Sequence, residues 1–219
     1  MANVTFEAAA NRNDGSIRKA LKGLVMVAPF DSTSPVTTLV ATGGQINVPT
    51  GFNSVGWITE DGASENGSLD TSELRAWGSA TPVRRDITGA DASITFTMME
   101  DNRFARELYD SLDLSAATVS AAGELKYDIQ AQPDIRYYRV IVLGLDGSGA
   151  TRRYFGSTYH KVSVTDRDDL VSANGDSAYA RGVTLSALPD DDLATLGTRF
   201  AFGPGLLARA VEEGYVLGS

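Results

Sequence analysis

Between Ala92 and Glu100 the chain reads ASITFTMME, and Ile94, Phe96 and Met98 alternate with Ser93, Thr95 and Thr97. A backbone that turns its side chains out on alternate faces puts the large apolar groups on one side and the hydroxyls on the other, as in a strand with one dry face. Runs of similar character recur at 22–28, 54–59, 124–131, 136–145, 151–157, 159–166 and 178–188, separated by turn formers such as Pro29 and Asp61-Gly62. Short strands at this spacing predict a mainly β protein: two packed antiparallel sheets, sandwich-like or barrel-like, with long inter-strand loops.

Directly after Glu100 the period changes. In DNRFARELYDSL, Phe104, Leu108 and Leu112 recur every four residues with Ala105 and Tyr109 beside them. This predicts one flanking α-helix over about 101–112, its apolar stripe on the sheet and Asp101 capping its start. After Pro189 the stretch DDDLATLGTRFAFGPG reads as loop, and LLARAVEEG (206–214) as a short amphipathic helix. The expected organisation is a β domain over 1–190, with an N-terminal arm over about 1–20 and a long loop or hairpin over about 59–75. A C-terminal extension, 191–219, docks on its own domain or on a partner.

Composition closes off several chemistries. The 219 residues are 42% hydrophobic, enough for a real core, and carry a formal charge of −9 with a pI near 4.6. Such a balance disfavours gripping nucleic acid, which depends on Lys and Arg contacts to phosphate. Without cysteine there is no disulfide framework, thiol nucleophile or thiolate zinc site. The first residues lack a basic start followed by an apolar run, so no secretory signal is expected. The most apolar run, VIVLGL (140–145), falls far short of the roughly 20 residues that span a bilayer, so no membrane partner is expected.

The motifs that suggest an enzyme dissolve on inspection. Gly144 and Gly149 have phosphate-loop spacing, but Ala150 stands where that loop needs lysine, so a hairpin turn on Asp146-Gly147 is the simpler reading. His160, the single histidine, has no serine elbow to serve and reads as a strand residue on a sheet face. The acidic turns DRDDL and PDDDL lack the ligand alternation and central glycine of a calcium loop. No catalytic residue, cofactor or metal is therefore assigned. The small basic clusters, Arg84-Arg85, Arg152-Arg153 and Arg18-Lys19 with Lys22, read either as solvated surface or as partners for acids on another copy.

The stretch GWITEDGASENGSLDTSELRAWG (56–78) sets Glu60, Asp61, Glu65, Asp70 and Glu73 between Trp57 and Trp77, with Arg75 alone to answer them. The expectation is that the two tryptophans pin the ends of a long loop or hairpin to the sheet. The acids would then be unpaired in one chain and meet arginines such as Arg84 or Arg85 of the next.

Several stretches, in order, resemble the major tail protein, or tail tube protein, of phages with long non-contractile tails, the siphophages. They are GLVMVAPFDSTSP with Ala28-Pro29, VGWITEDG with Gly56-Trp57 and Glu60-Asp61-Gly62, PVRRDITGADASITFTMMEDN with Glu100 before Asn102, and VTLSALPDD with Pro189-Asp190. They span about 23–190, and TLVATGGQINVPTGFN between the first two reads as an insertion. The resemblance implies a structural virion protein, assembled in the host cytoplasm, that self-associates into rings of six and stacks them into a tail tube. Its implied partners are its own copies, a tape measure protein inside the tube, tail terminator and distal tail proteins, and DNA that passes without specific binding. It implies inter-subunit or inter-ring contacts through Trp57, Glu60, Asp61, Glu65, Asp70, Glu73, Trp77, Arg84 and Arg85. An acidic wall suits such a conduit, since like charge repels phosphate. The alternative is a β-sandwich binding module for carbohydrate or receptor, with Trp57 and Trp77 as a sugar platform. A hydrolase using scattered carboxylates stands further behind.

Overall fold

The computed structural model describes residues 5–10, 12–172 and 178–218. Of the predicted N-terminal arm, residues 1–4 and 11 lie outside them. Along the chain come α1 (Phe6–Ala10), β1 (Lys22–Pro29), β2 (Val40–Ala41), β3 (Gln45–Ile46), β4 (Asn53–Ser54), β5 (Ile58–Leu74) and β6 (Arg84–Met98). Then follow α2 (Arg103–Asp110), β7 (Tyr137–Asp146), β8 (Arg153–Arg167), β9 (Arg181–Leu188), β10 (Gly197–Phe202) and α3 (Pro204–Arg209). The mainly β class with one substantial flanking helix holds. The strands form an eight-stranded antiparallel sheet in the order β4-β1-β7-β8-β9-β6-β5, with β10 also on β8, and a small sheet of β2 and β3. They do not close into a barrel.

Both faces of the central strands are covered. Val25 and Val27 of β1, Tyr138 and Val140 of β7, and Tyr159 and Val162 of β8 enter one core with Ile94, Phe96 and Met98 of β6. Met26, Ala28, Ile141, Leu143 and Tyr154 point the other way, into a second core. Continuous apolar runs such as LVMVA follow from this double burial, which removes the need for a polar alternate. The first core is roofed by α2 through Ala105, Leu108 and Tyr109. The second is covered by Val36, Leu39 and Phe52, so the insertion-like segment lays a flap over the sheet.

Several predicted boundaries change. The run at 54–59 is not one strand: Gly56 adopts φ +85° and separates β4 from β5. Asp61-Gly62 is not a terminating turn, because residues 59–62 bulge out between the pairs Ile58–Met98 and Ala63–Phe96 and the strand resumes. Runs 151–157 and 159–166 fuse into β8, as Thr158 forms no turn and Gly156 lies where any side chain would strike the Val142 carbonyl. The alternation at 124–131 yields only a bridge between Val119 and Leu125; Ile129 is exposed, and with no neighbouring strand among the described residues to complete its ladder the segment stays irregular. The expected loop after Pro189 contains β10, recruited by β8. The cap of α2 is Asn102, whose Oδ1 accepts from the Ala105 N–H at 2.9 Å, whereas Asp101 pairs with Arg106 and Arg181. The hairpin predicted at Asp146-Gly147 is present, but Asp146 still pairs with Arg153 and the connection is the longer stretch 147–152, with a helical turn at Gly149–Thr151 and Gly147 at φ +71°.

Candidate assembly interface

β5 and β6 are far longer than the sheet they join. β6 pairs with β9 only over Ser93–Met98, whereas its pairing with β5 continues out to Leu74–Arg84. Residues 66–74 and 84–92 therefore form a two-stranded ribbon, an arm leaving the body of the sheet. The register is regular from Ala63–Phe96 to Asp70–Gly89, so the face bearing buried Ile94 and Phe96 continues outward through Ala92 and then Leu69–Ala90. Thr88 is a bulge, after which Thr71–Ile87 and Glu73–Arg85 extend that face. The opposite face is Ser64, Asn66, Ser68, Asp70 and Ser72 against Thr95, Ser93, Asp91, Gly89 and Asp86.

The arm is thus amphipathic, with its less polar face bare. Leu69 and Ile87 are exposed on the face that prolongs the core, and Leu74, Trp77 and Val83 are exposed at the tip. An isolated hairpin is at best marginally stable in water, and clustered exposed apolar groups mark surfaces that other molecules cover.

The singled-out residues distribute along this arm. Trp57 is 78% exposed and Trp77 fully so, which overturns the expectation that they pin the hairpin to the sheet. What fixes the base is backbone: the Trp57 N–H donates to Glu100 Oε1 at 2.8 Å and the Met99 N–H to the Trp57 carbonyl at 2.8 Å. β5 lies between the tryptophans, and allowing for the bulge at 59–62, at about 3.3 Å per paired residue they stand roughly 40 Å apart. One chain cannot bring both to a single sugar.

The acids divide as well. Glu60 and Asp61 sit exposed on the bulge, and Asp70 is exposed on the polar face. Glu65 turns inward, accepting from the Tyr159 hydroxyl at 2.8 Å; burial and this carboxylate push the Tyr159 pKa up. Glu73 is not unpaired in its own chain: Arg85 reaches it at 2.5 Å and Arg75 at 3.7 Å, while Arg84 pairs with Asp86 at 2.9 Å. Exposed pairs of this kind contribute about 0–1 kcal/mol each, so exchanging one such partner for another changes little.

At the opposite terminus the C-terminal extension was expected to dock on its own domain or on a partner, but the residues that tie it down were not identified from the sequence. Glu213 receives two hydrogen bonds of 2.7 Å from Arg153 and one of 2.9 Å from Arg18. Arg209 donates to the Gly15 carbonyl and to Asn13 Oδ1. The basic clusters at Arg18 and Arg153 are thus spent within the chain, tying the N-terminal segment to the C-terminal one. These cations hold the Glu213 carboxyl down at about 2. Beside the tie lies an open apolar groove of about 820 Å³, walled by Val40, Phe202, Leu206, Leu207, Tyr215 and Val216. The apolar residues of LLARAV were the available signal, visible in the sequence only as a short helix; Leu207 and Val211 are exposed, while Ala210 is buried.

Among the described residues no group of three or more His, Asp or Glu is arranged to hold a metal ion, and no helix is long and apolar enough to cross a membrane. His160 is buried in β8 with Nε2 3.2 Å from Thr198 Oγ1.

Solved structures with a similar chain trace include the anti-feeding prophage baseplate, at TM-score 0.44 and 10% identity over 86% of this chain and 97% of that one. The anti-feeding prophage tube-terminating cap aligns at TM-score 0.37 and 14% identity, over 78% and 96%. An Hcp protein aligns at 0.30 and 10%, over 82% and 96%. No curated protein matches the chain. Membership is carried instead by the sequence: the family model described as phage tail tube protein matches residues 10–198, and the chain belongs to that family.

Proposed function

We propose that this structural tail tube protein polymerises into stacked rings, six copies to a ring as the sequence resemblance implies, and that the β5–β6 arm is the surface one copy lays on the next. The observation that carries this is the arm itself, a ribbon with Leu69, Leu74, Trp77, Val83 and Ile87 uncovered. A tube is an open assembly, and open assemblies need two unlike, complementary surfaces on each copy. A projecting ribbon provides one such surface, and ordering it against a neighbour removes the apolar groups from water. Trp57, Glu60, Asp61, Asp70, Glu73, Trp77, Arg84 and Arg85 then lie at or near inter-subunit contacts, with Glu65 holding the base of the arm.

The role needs no catalysis. Built in the host cytoplasm around a tape measure protein, and closed by tail terminator and distal tail proteins, the tube passes DNA without gripping it. The −9 charge carried by every copy supports this, since an acidic conduit repels phosphate.

The test is to shorten the arm, joining Ser68 to Asp91 through an Asn-Gly turn, and to image concentrated protein by negative-stain electron microscopy. The native chain should give tubes and the shortened chain soluble rings or protomers. Tubes from the shortened chain would refute the arm's role. A native chain that stays monomeric and binds glycans would refute the tube itself.

A further inference from the structure

One broad face of the sheet carries neither a core nor a cover. Ile94, Phe96 and Leu185 turn into the first core, so their neighbours in sequence turn the other way. Ladder partners share a face, and Ser64 of β5, Thr95 of β6 and Thr184 of β9 form one row across it. Asn66, Ser93 and Ser186, with Ser163 of β8, form the next. None of these residues is buried. The second core, which covers this side of β1 and β7, draws on no residue of β5, β6 or β9.

The face has no cation. Residues 63–72, 86–98, 162–166 and 182–188 contain neither lysine nor arginine. The nearest on this side, Arg84 at the tip of the arm and Lys161 at the corner of β8, are paired with Asp86 and Asp191. The hydroxyls are turned to one another: Thr95 Oγ1 lies 2.9 Å from Thr184 Oγ1, and Thr165 Oγ1, at the β8 bulge, 3.1 Å from Ser186 Oγ. Serine and threonine on a surface ordinarily supply hydrogen bonds to phosphate oxygens. Each of these pairs spends one of its protons internally instead. The acids of the face stand apart from the rows, outward along the arm, at Asp91, Asp70 and Asp86.

The arm fixes which way this surface looks. Its apolar face, with Leu69 and Ile87, is the one proposed above to lie on the next copy, so the opposite face of the same ribbon turns away from that copy and stays wet. Ser68, Asp70 and Ser72 are on that opposite face, which is continuous with the rows of the sheet. In a tube a wet surface looks into the bore or to the outside, and phosphate distinguishes the two. A wall of lysine and arginine would hold DNA by releasing its counterions, more tightly with each contact. The helix on the other side of the sheet, α2, carries Arg103 and Arg106; the bare face carries none.

We propose that the Ser64–Thr95–Thr184 and Asn66–Ser93–Ser186–Ser163 rows are the wall along which double-stranded DNA slides: a neutral hydroxyl lattice over the body of the sheet, with repulsion confined to the aspartates of the arm. This rests on the tube and the arm proposed above, and assigns the surface of the chain from which the bore is made.

The chain has no cysteine, so one introduced thiol reports its own surroundings. Tubes of Ser64→Cys, on the sheet, and of Ser68→Cys, on the arm, are treated with a small maleimide and with maleimide carried on a protein too wide for the bore. Dissociated protomers should take both reagents and tubes the small one alone. Should one variant fail to assemble, the other decides. Tubes labelled by the carrier as well put the face outside, and tubes labelled by neither put it beneath a neighbouring copy; either pattern overturns the assignment and leaves the tube standing. A native chain that forms no tubes overturns the tube and this assignment with it. Ser64→Lys tests the physical reason: its tubes, incubated with a short DNA duplex at low salt, should sediment about tenfold more of it than native tubes, a gain lost at high salt. Equal retention would show that the face does not meet DNA.

Discussion

At the scale of single residues, the side chains that look most eventful in the sequence are not those that constrain the structure. Trp57 and Trp77 draw attention by size, yet both point to water, while Gly56 beside one of them has no freedom. Its φ of +85° is left-handed, and a Cβ there would collide with the Glu100 carboxylate that accepts from the Trp57 N–H. Gly78 has a similar φ of +79° but open space around it. Gly56→Ala should therefore cost about 1–3 kcal/mol and Gly78→Ala less, the difference reporting the displaced Glu100 contact. Thermal melts of the two variants make the comparison, and equal losses would mean that Glu100 yields without cost. The pairing of Arg139 with Asp190 was silent in the sequence, although Asp190 stands in the Pro189-Asp190 motif, because nothing in a linear pattern links two charges 51 positions apart.

At the scale of elements, the ion pairs at Glu213 make the two ends of the chain a single structural unit. A carboxyl held at about 2 against an ordinary value near 4.5 stabilises the folded state fully above about pH 5. That contribution drains away as pH falls from 4.5 towards 2, because the unfolded chain takes up the proton first. Asp113, held at about 2 by its hydrogen bonds to Ser115, loses its contribution over the same range. The informative measurement is thus the difference between native and Glu213→Gln. The variant should be less stable by about 1–3 kcal/mol at pH 7, the gap should narrow below about pH 4.5 and close only towards pH 2, and a gap independent of pH would show that the pairs contribute nothing through charge. Legibility at this scale followed burial. α2 and the inner half of β6 were readable because one face of each is dry, which imposes a period on the sequence. The outer arm was not, since neither of its faces is covered in one chain and Ser64 to Ser72 shows no apolar alternation. The segment 124–131 shows the converse: it has the alternation of a strand and lacks a neighbour to make it one.

At the scale of the whole molecule, two forces bear on whether copies associate, and they respond to salt in opposite ways. Every copy carries −9, so bringing copies together costs repulsion that screening relieves; the Debye length shrinks from about 10 Å at 0.1 M to about 3 Å at 1 M. Apolar contact through Leu69, Ile87 and the tip is not weakened by salt. If association depended instead on arginines of one arm finding acids on the next copy, salt would screen that attraction and oppose assembly. The pairs already formed within the arm, Arg85 with Glu73 and Arg84 with Asp86, argue that its arginines gain little by changing partner. The protein concentration at which tubes appear should therefore fall as sodium chloride is raised from about 0.05 to 0.5 M, a range over which screening of surface charge becomes nearly complete. Sedimentation of tubes across a salt series reads this directly, and a threshold that rises with salt would transfer the driving force from the apolar face of the arm to its charges.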